Sequence, residues 1–174
     1  MRLNGCGAIL VLVSAAYIGS QAQAPPRETS QAATIHRLSS TLRPSGPKGI
    51  PCLEGGAETG DAAKGPSIIV ERFAPGCTIP WHWHTPNEHI MMVSGTLNFE
   101  MKGEKPVRVE QGDFLLFPSH HISQATCVGP ESCIDFLYTD APFDAHFVDQ
   151  AGGEISLDQA LKNQKKAPPN SKQN

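Results

Sequence analysis

Residues 76–95 read GCTIPWHWHTPNEHIMMVSG. Gly76 is followed after five residues by His82-Trp83-His84, then after three residues by Glu88, and after six more by Gly95. His82 and His84 are two apart, so on a strand both imidazoles leave the same face while Trp81 and Trp83 point the other way. The turn signal Thr85-Pro86-Asn87 brings Glu88 back toward the pair, where EHIMMV opens a second extended run. Two neutral imidazoles and one carboxylate on one face suit a divalent transition metal. Gly76 and Gly95 stand where chain reversals are needed.

With Gly76, His82, His84, Glu88 and Gly95 at its fixed positions, the stretch resembles the first signature motif of the cupins, small β-barrels that hold a metal inside the barrel. The resemblance implies an all-β fold, a cupin-type double-stranded β-helix or jelly-roll barrel. It says much about fold and metal and little about substrate. Cupins carry a second motif, Gly, five residues, Pro-x-Gly, two residues, His, three residues, Asn. Here Gly112 and Pro118 match, but His120 stands at the second Gly, Ser123 at the His and Cys127 at the Asn. The fourth ligand of the family is therefore not carried over.

Three completions are open. His121 shares parity with Ser123, about 7 Å along a regular strand, and a small shift at the strand entry would make it the third imidazole. His120 has the opposite parity but sits where a missing Gly alters the turn. Otherwise His82, His84 and Glu88 act alone as a facial triad, with Ser123 and Gln124 holding a ligand water. The expected metal set is His82, His84, Glu88 and His121. Fe or Mn leads, while Ni, Zn, Co and Cu also suit these donors.

Outward from the motif, short apolar runs alternate with turns. The expected strands are SIIVERF, TIPWHWH, EHIMMV, TLNFEMK, VRVE, DFLLF, SQATCV, CIDFLYT and FDAHFVD, between residues 67 and 149. Their spacing suits a β-barrel or sandwich. No repeat of the block is evident, so one cupin domain is expected over 67–150. Residues 25–66 read as a polar arm, with Ile35, Leu38 and Leu42 its buriable residues, and a Gly-rich loop. Residues 151–174 read as a short helix at Leu157–Gln164 and a disordered tail.

Residues 1–24 have the layout of a secretory signal peptide: Arg2, an apolar run from Ala8 to Ile18, and Ala22-Gln23-Ala24 as the cleavage site. The run is too short for a membrane span. A secreted or periplasmic protein is expected, with no membrane partner after cleavage. A formal charge of −3 offers no basic stripe for nucleic acid. Of five cysteines, Cys52, Cys77, Cys127 and Cys133 survive cleavage, and export favours disulfides. Cys127 and Cys133 flank the turn-like VGPES, which makes a cross-strand bridge plausible, with Cys52–Cys77 its complement.

The remaining residues have plainer expectations. His89 should face away from the metal, and His146 should be a hydrogen-bonded structural residue. One of Met91 and Met92 should pack in the core while the other lines the cavity. Phe99, Leu115 and Phe117 should fill the barrel. The leading function is a dioxygenase-like oxidoreductase acting on a small molecule at the metal; no separate general base stands out. Redox-neutral isomerase or lyase chemistry on the same metal, and a non-enzymatic small-ligand binding module, are the alternatives. The resemblance also implies a homodimer.

Overall fold

The computed structural model describes residues 34–36 and 49–166. The segment expected to be a signal peptide, nearly all of the polar arm and the tail after Lys166 lie outside the described residues. Of the arm's three apolar residues, Ile35 is described, and it is exposed.

Ten strands and one helix follow in chain order. They are β1 (Leu53–Gly60), β2 (Ser67–Phe73), β3 (Thr78–Trp83), β4 (Glu88–Ser94) and β5 (Thr96–Met101). After them come β6 (Val107–Glu110), β7 (Phe114–Phe117), β8 (Ser123–Val128), β9 (Cys133–Thr139), β10 (His146–Phe147) and α1 (Leu157–Lys166). Two antiparallel five-stranded sheets result, ordered β1-β2-β9-β4-β7 and β10-β3-β8-β5-β6. Because β3 belongs to one sheet and β4 to the other, the turn at 84–87 carries the chain across the sandwich at one end.

Alternation of buried and more open residues in β4, β8 and β9 shows strands with one face in the core. In β9, Cys133, Asp135, Leu137 and Thr139 are each at most 1% exposed, while the residues between them are not fully buried. Phe73, Leu97, Phe99, Phe117, Ala125 and Leu137 fill the space between the sheets. Phe99 and Phe117 meet with ring centroids 5.2 Å apart, so they are the barrel filling expected of them. Of the methionines, Met92 is buried at 3%, but Met91 is exposed at 49% on the outer face and lines no cavity. Residue parity set that outcome: Met91 shares a face with His89 and Val93.

One strand was missed. Residues 53–60, LEGGAETG, read as a Gly-rich loop, yet they form β1 against the whole of β2, from Leu53↔Phe73 to Gly60↔Ser67. Glycine is poor strand material on its own. Here the Cys52–Cys77 disulfide and the Ala74 N–H bond to the Cys52 carbonyl, 2.9 Å, hold the strand's start beside the end of β2. The second disulfide, Cys127–Cys133, closes the β8–β9 turn over a Cα separation of 5.8 Å. Both expected bridges are therefore present. Helix α1 starts where Ser156 accepts the Gln159 N–H through its hydroxyl, an N-cap at 3.2 Å.

Candidate metal centre at the end of the barrel

His82 ends the inward series of β3 and lies directly opposite Ser123 of β8. The pairing slips between Ile79 and His82, a bulge that lets both residues, three apart, be buried. His82, His84 and Glu88 are each 7% exposed. The two rings meet edge to face with centroids 4.7 Å apart. Phe143 stacks on His84 at 4.6 Å and Phe147 lies 6.0 Å from His82, which gives the group apolar walls.

Hydrogen bonds fix the imidazole tautomers. His82 Nδ1 lies 2.7 Å from the Pro80 carbonyl, and His84 Nδ1 bonds the Asp144 carbonyl. A carbonyl only accepts, so both Nδ1 atoms carry the proton and both Nε2 atoms are left with free lone pairs. Burial lowers the His82 pKa, and it holds that of His84 down at about 3, helped by the neighbouring His82 ring and opposed by the Asp144 carbonyl. Both rings are neutral at physiological pH. Burial, and then the Glu71 carboxyl, raise the pKa of Glu88 well above the carboxylate range. His84 Nε2 stands 3.3 Å from Glu88 Oε1, the geometry in which a protonated Glu88 donates to the free lone pair.

This donor set fits a divalent transition metal. Two Nε2 lone pairs aimed by backbone carbonyls, beside a carboxyl that can release its proton, are what a His-rich site requires. Among the described residues no three His, Cys, Asp or Glu side chains already converge as a metal cage; His84 and Glu88 close on each other instead.

The second half of the site is arranged differently. His121 engages Glu104: its Nε2 lies 2.8 Å from Glu104 Oε1 and its ring packs 5.6 Å from Phe117. Its Nδ1 is buried without a partner, so a free imidazole nitrogen remains on the ring that parity had singled out. His120 is exposed and takes φ = 63°, the left-handed conformation that glycine at that position of the motif would supply. It is held there by its N–H bond to the His84 carbonyl, 2.8 Å, and by stacking on Trp83 at 4.3 Å. His146 covers the other face of Trp83 at 3.9 Å and contacts the Asp144 and Glu154 carboxylates, the structural role expected of it. His89 faces outward beside Phe114 and Tyr138, as parity required.

Sequence reasoning overlooked Asp140 and Asp144, which order the mouth. Asp144 accepts the Thr85 N–H at 2.8 Å as well as binding His84. Asp140 accepts from the Asn87 amide and side chain at 3.1 and 2.6 Å, and Asn87 in turn accepts the Ser119 N–H at 3.0 Å. The 84–87 turn is thereby tied to both the 118–121 turn and the 140–144 loop. Partners 53 to 60 positions away leave no local signal in the sequence. A cavity of about 600 Å³ lies elsewhere, between α1 and the outer face of the second sheet, beside Trp81 and Gln124.

The comparisons agree on family and fold. A cupin-domain family model matches residues 69–134. No curated protein matches the sequence. The polyketide cyclase RemF from Streptomyces resistomycificus superposes with a TM-score of 0.61 at 14% identity, over 76% of this chain and 93% of that one. A conserved protein with a double-stranded β-helix domain from Klebsiella pneumoniae gives 0.50 at 19%, over 66% and 97%. Salicylate 1,2-dioxygenase from Pseudoaminobacter salicylatoxidans gives 0.45 at 17%, over 52% of this chain and 25% of its own. At these identities the likeness shows fold alone. Residues 69–134 are a cupin domain.

Proposed function

We propose that this cupin is an exported metal-binding protein whose barrel carries out a dioxygenase-like reaction on a small molecule. The observation behind the reading is the pair of Nδ1–carbonyl hydrogen bonds that leaves both Nε2 lone pairs of His82 and His84 free beside Glu88. Fe or Mn would be held by His82, His84 and Glu88, with His121 as fourth ligand through the buried Nδ1 that has no partner. When bound, the metal would supply Lewis acidity and an electron path at positions left open to substrate. The chain's own residues orient the imidazoles, exclude water with Phe143 and Phe147, and surrender the Glu88 proton on loading. Two disulfides favour an oxidising compartment and so support export.

A homodimer belongs to the same proposal. The outer face of the first sheet exposes Met91, Phe114, Leu116 and Tyr138 together, with His89 among them. Contiguous exposed apolar patches of this kind are uncommon on chains that stay single. A Leu116→Glu variant that sediments at half the mass of the parent would support this assembly, and a monomeric parent would refute it.

Elemental analysis of protein taken from the exported fraction tests the central claim. One equivalent of Fe or Mn in the parent, absent from His82→Ala, followed by oxygen uptake in a substrate screen, is the expected result. A parent free of transition metal would overturn it. Turnover without oxygen would retain the metal and transfer the reaction to the redox-neutral class.

A further inference from the structure

The inner wall of the first sheet carries a second acidic group that the reading above does not use. Gly55, Glu71, Asp135 and Met92 lie in register across β1, β2, β9 and β4. Asp135 faces inward with Cys133 and Leu137 and is 1% exposed, yet neither carboxylate oxygen has a hydrogen-bond partner. Glu71 shares a face with Ile69 and Phe73, and as Asp135's direct cross-strand neighbour its Cβ stands about 4.5–5.5 Å away. The fully buried polar residues of the described chain include no lysine or arginine to balance the two acids.

A buried carboxyl beside a second one needs a proton or a cation to balance its charge. No backbone or side-chain donor reaches either Asp135 oxygen, and a cation would satisfy both at once. Across the rung, Gly55 has no side chain: a Cβ there would sit 3.7 Å from Glu71 Oε1. That leaves Glu71 partly accessible and gives room for water. We propose that Glu71 and Asp135 together bind a hard divalent cation of the Ca²⁺ or Mn²⁺ kind, with water completing its shell. Its all-oxygen donors differ in chemistry from the imidazole-rich group at the barrel end, so Ca²⁺ discriminates between the two.

The test uses the full chain, stripped with chelator and titrated with Ca²⁺ by calorimetry, and separately with Mn²⁺ by the electron-spin signal of the free ion. The parent should bind one Ca²⁺ and two Mn²⁺. Asp135→Asn, nearly isosteric, and Glu71→Gln should each lose the Ca²⁺ and one Mn²⁺. A His82→Ala/His84→Ala double variant should keep both of those, so failure of the imidazole site and failure of this one are separately visible. Ca²⁺ should raise the unfolding midpoint of the parent but not of Asp135→Asn, which circular dichroism will show to be folded. Ca²⁺ binding that persists in both single acid variants, or its absence from the parent, would overturn the proposal.

Discussion

The β3–β4 corner and the β7–β8 corner meet at the same end of the barrel but reach their shape by different routes. In the first, His82, His84 and Glu88 occupy every motif position, and two backbone carbonyls aim the rings. In the second, the residue types have changed while the backbone has not: His120 adopts φ = 63° where the motif has glycine. The strain is offset by stacking on Trp83 and by the hydrogen bond to the His84 carbonyl. Local backbone geometry can thus outlast the residue that ordinarily supplies it, whereas a ligand is lost as soon as its side chain is replaced.

The sharpest way to break this comparison is to remove one imidazole from each corner. His84→Ala should weaken metal binding by more than about 100-fold, beyond the effect of losing an outer hydrogen bond. His121→Ala should cost about 10-fold or more if its Nδ1 ligates. Equal metal affinity in parent and His121→Ala would leave the first corner as a three-residue site.

The disulfides divide the same way. Cys52–Cys77 enters β3 and closes 25 residues, while Cys127–Cys133 leaves β8 and closes 6. On loop-closure entropy, paired serine substitution should lower stability by about 3.5 kcal/mol at the first bridge and about 2 kcal/mol at the second. Urea unfolding of the two double variants measures the difference.

At His120, valine should cost about 1–2 kcal/mol, because a β-branched residue resists the left-handed region. Glycine should fall within about 1 kcal/mol of the parent, gaining backbone freedom but losing the Trp83 stack. Equal costs for both substitutions, in thermal unfolding, would remove backbone strain from the account.

The mildest effect concerns pH. Burial raises the Glu71 pKa from 4.5 to about 7, and burial together with Glu71 and Glu88 raises that of Asp135. In metal-free protein the unfolded chain therefore binds fewer protons than the folded one between pH 4.5 and 7, so stability falls as pH rises through that window. Asp135→Asn should flatten the slope, which unfolding at a series of pH values will show.

Much of this was legible in the residues. From Ser67 to Thr139 the expected strands coincide with the observed ones to within a residue at either end, because β4, β8 and β9 keep period-two alternation and turn residues bound the others. Leu157–Gln164 likewise grew only to Leu157–Lys166. β1 was hidden because its glycines carry no pattern, and it exists through pairing with β2 and a disulfide. Met91 was misplaced because alternation assigns faces without saying which face is covered. Asp135 lay inside an expected strand, but nothing in CIDFLYT marks its carboxylate as unpartnered.

The sequence by itself determined the cupin signature, the inward parity of His82 and the proximity of Glu88, since each depends on spacing within a strand or turn. Only the tertiary structure decided that Asp144 would orient His84, that Glu104 would engage His121, and that Glu71 and Asp135 would face each other. Those contacts join residues 17 to 64 positions apart, and they form only when two sheets close on one another and bring distant strands into register.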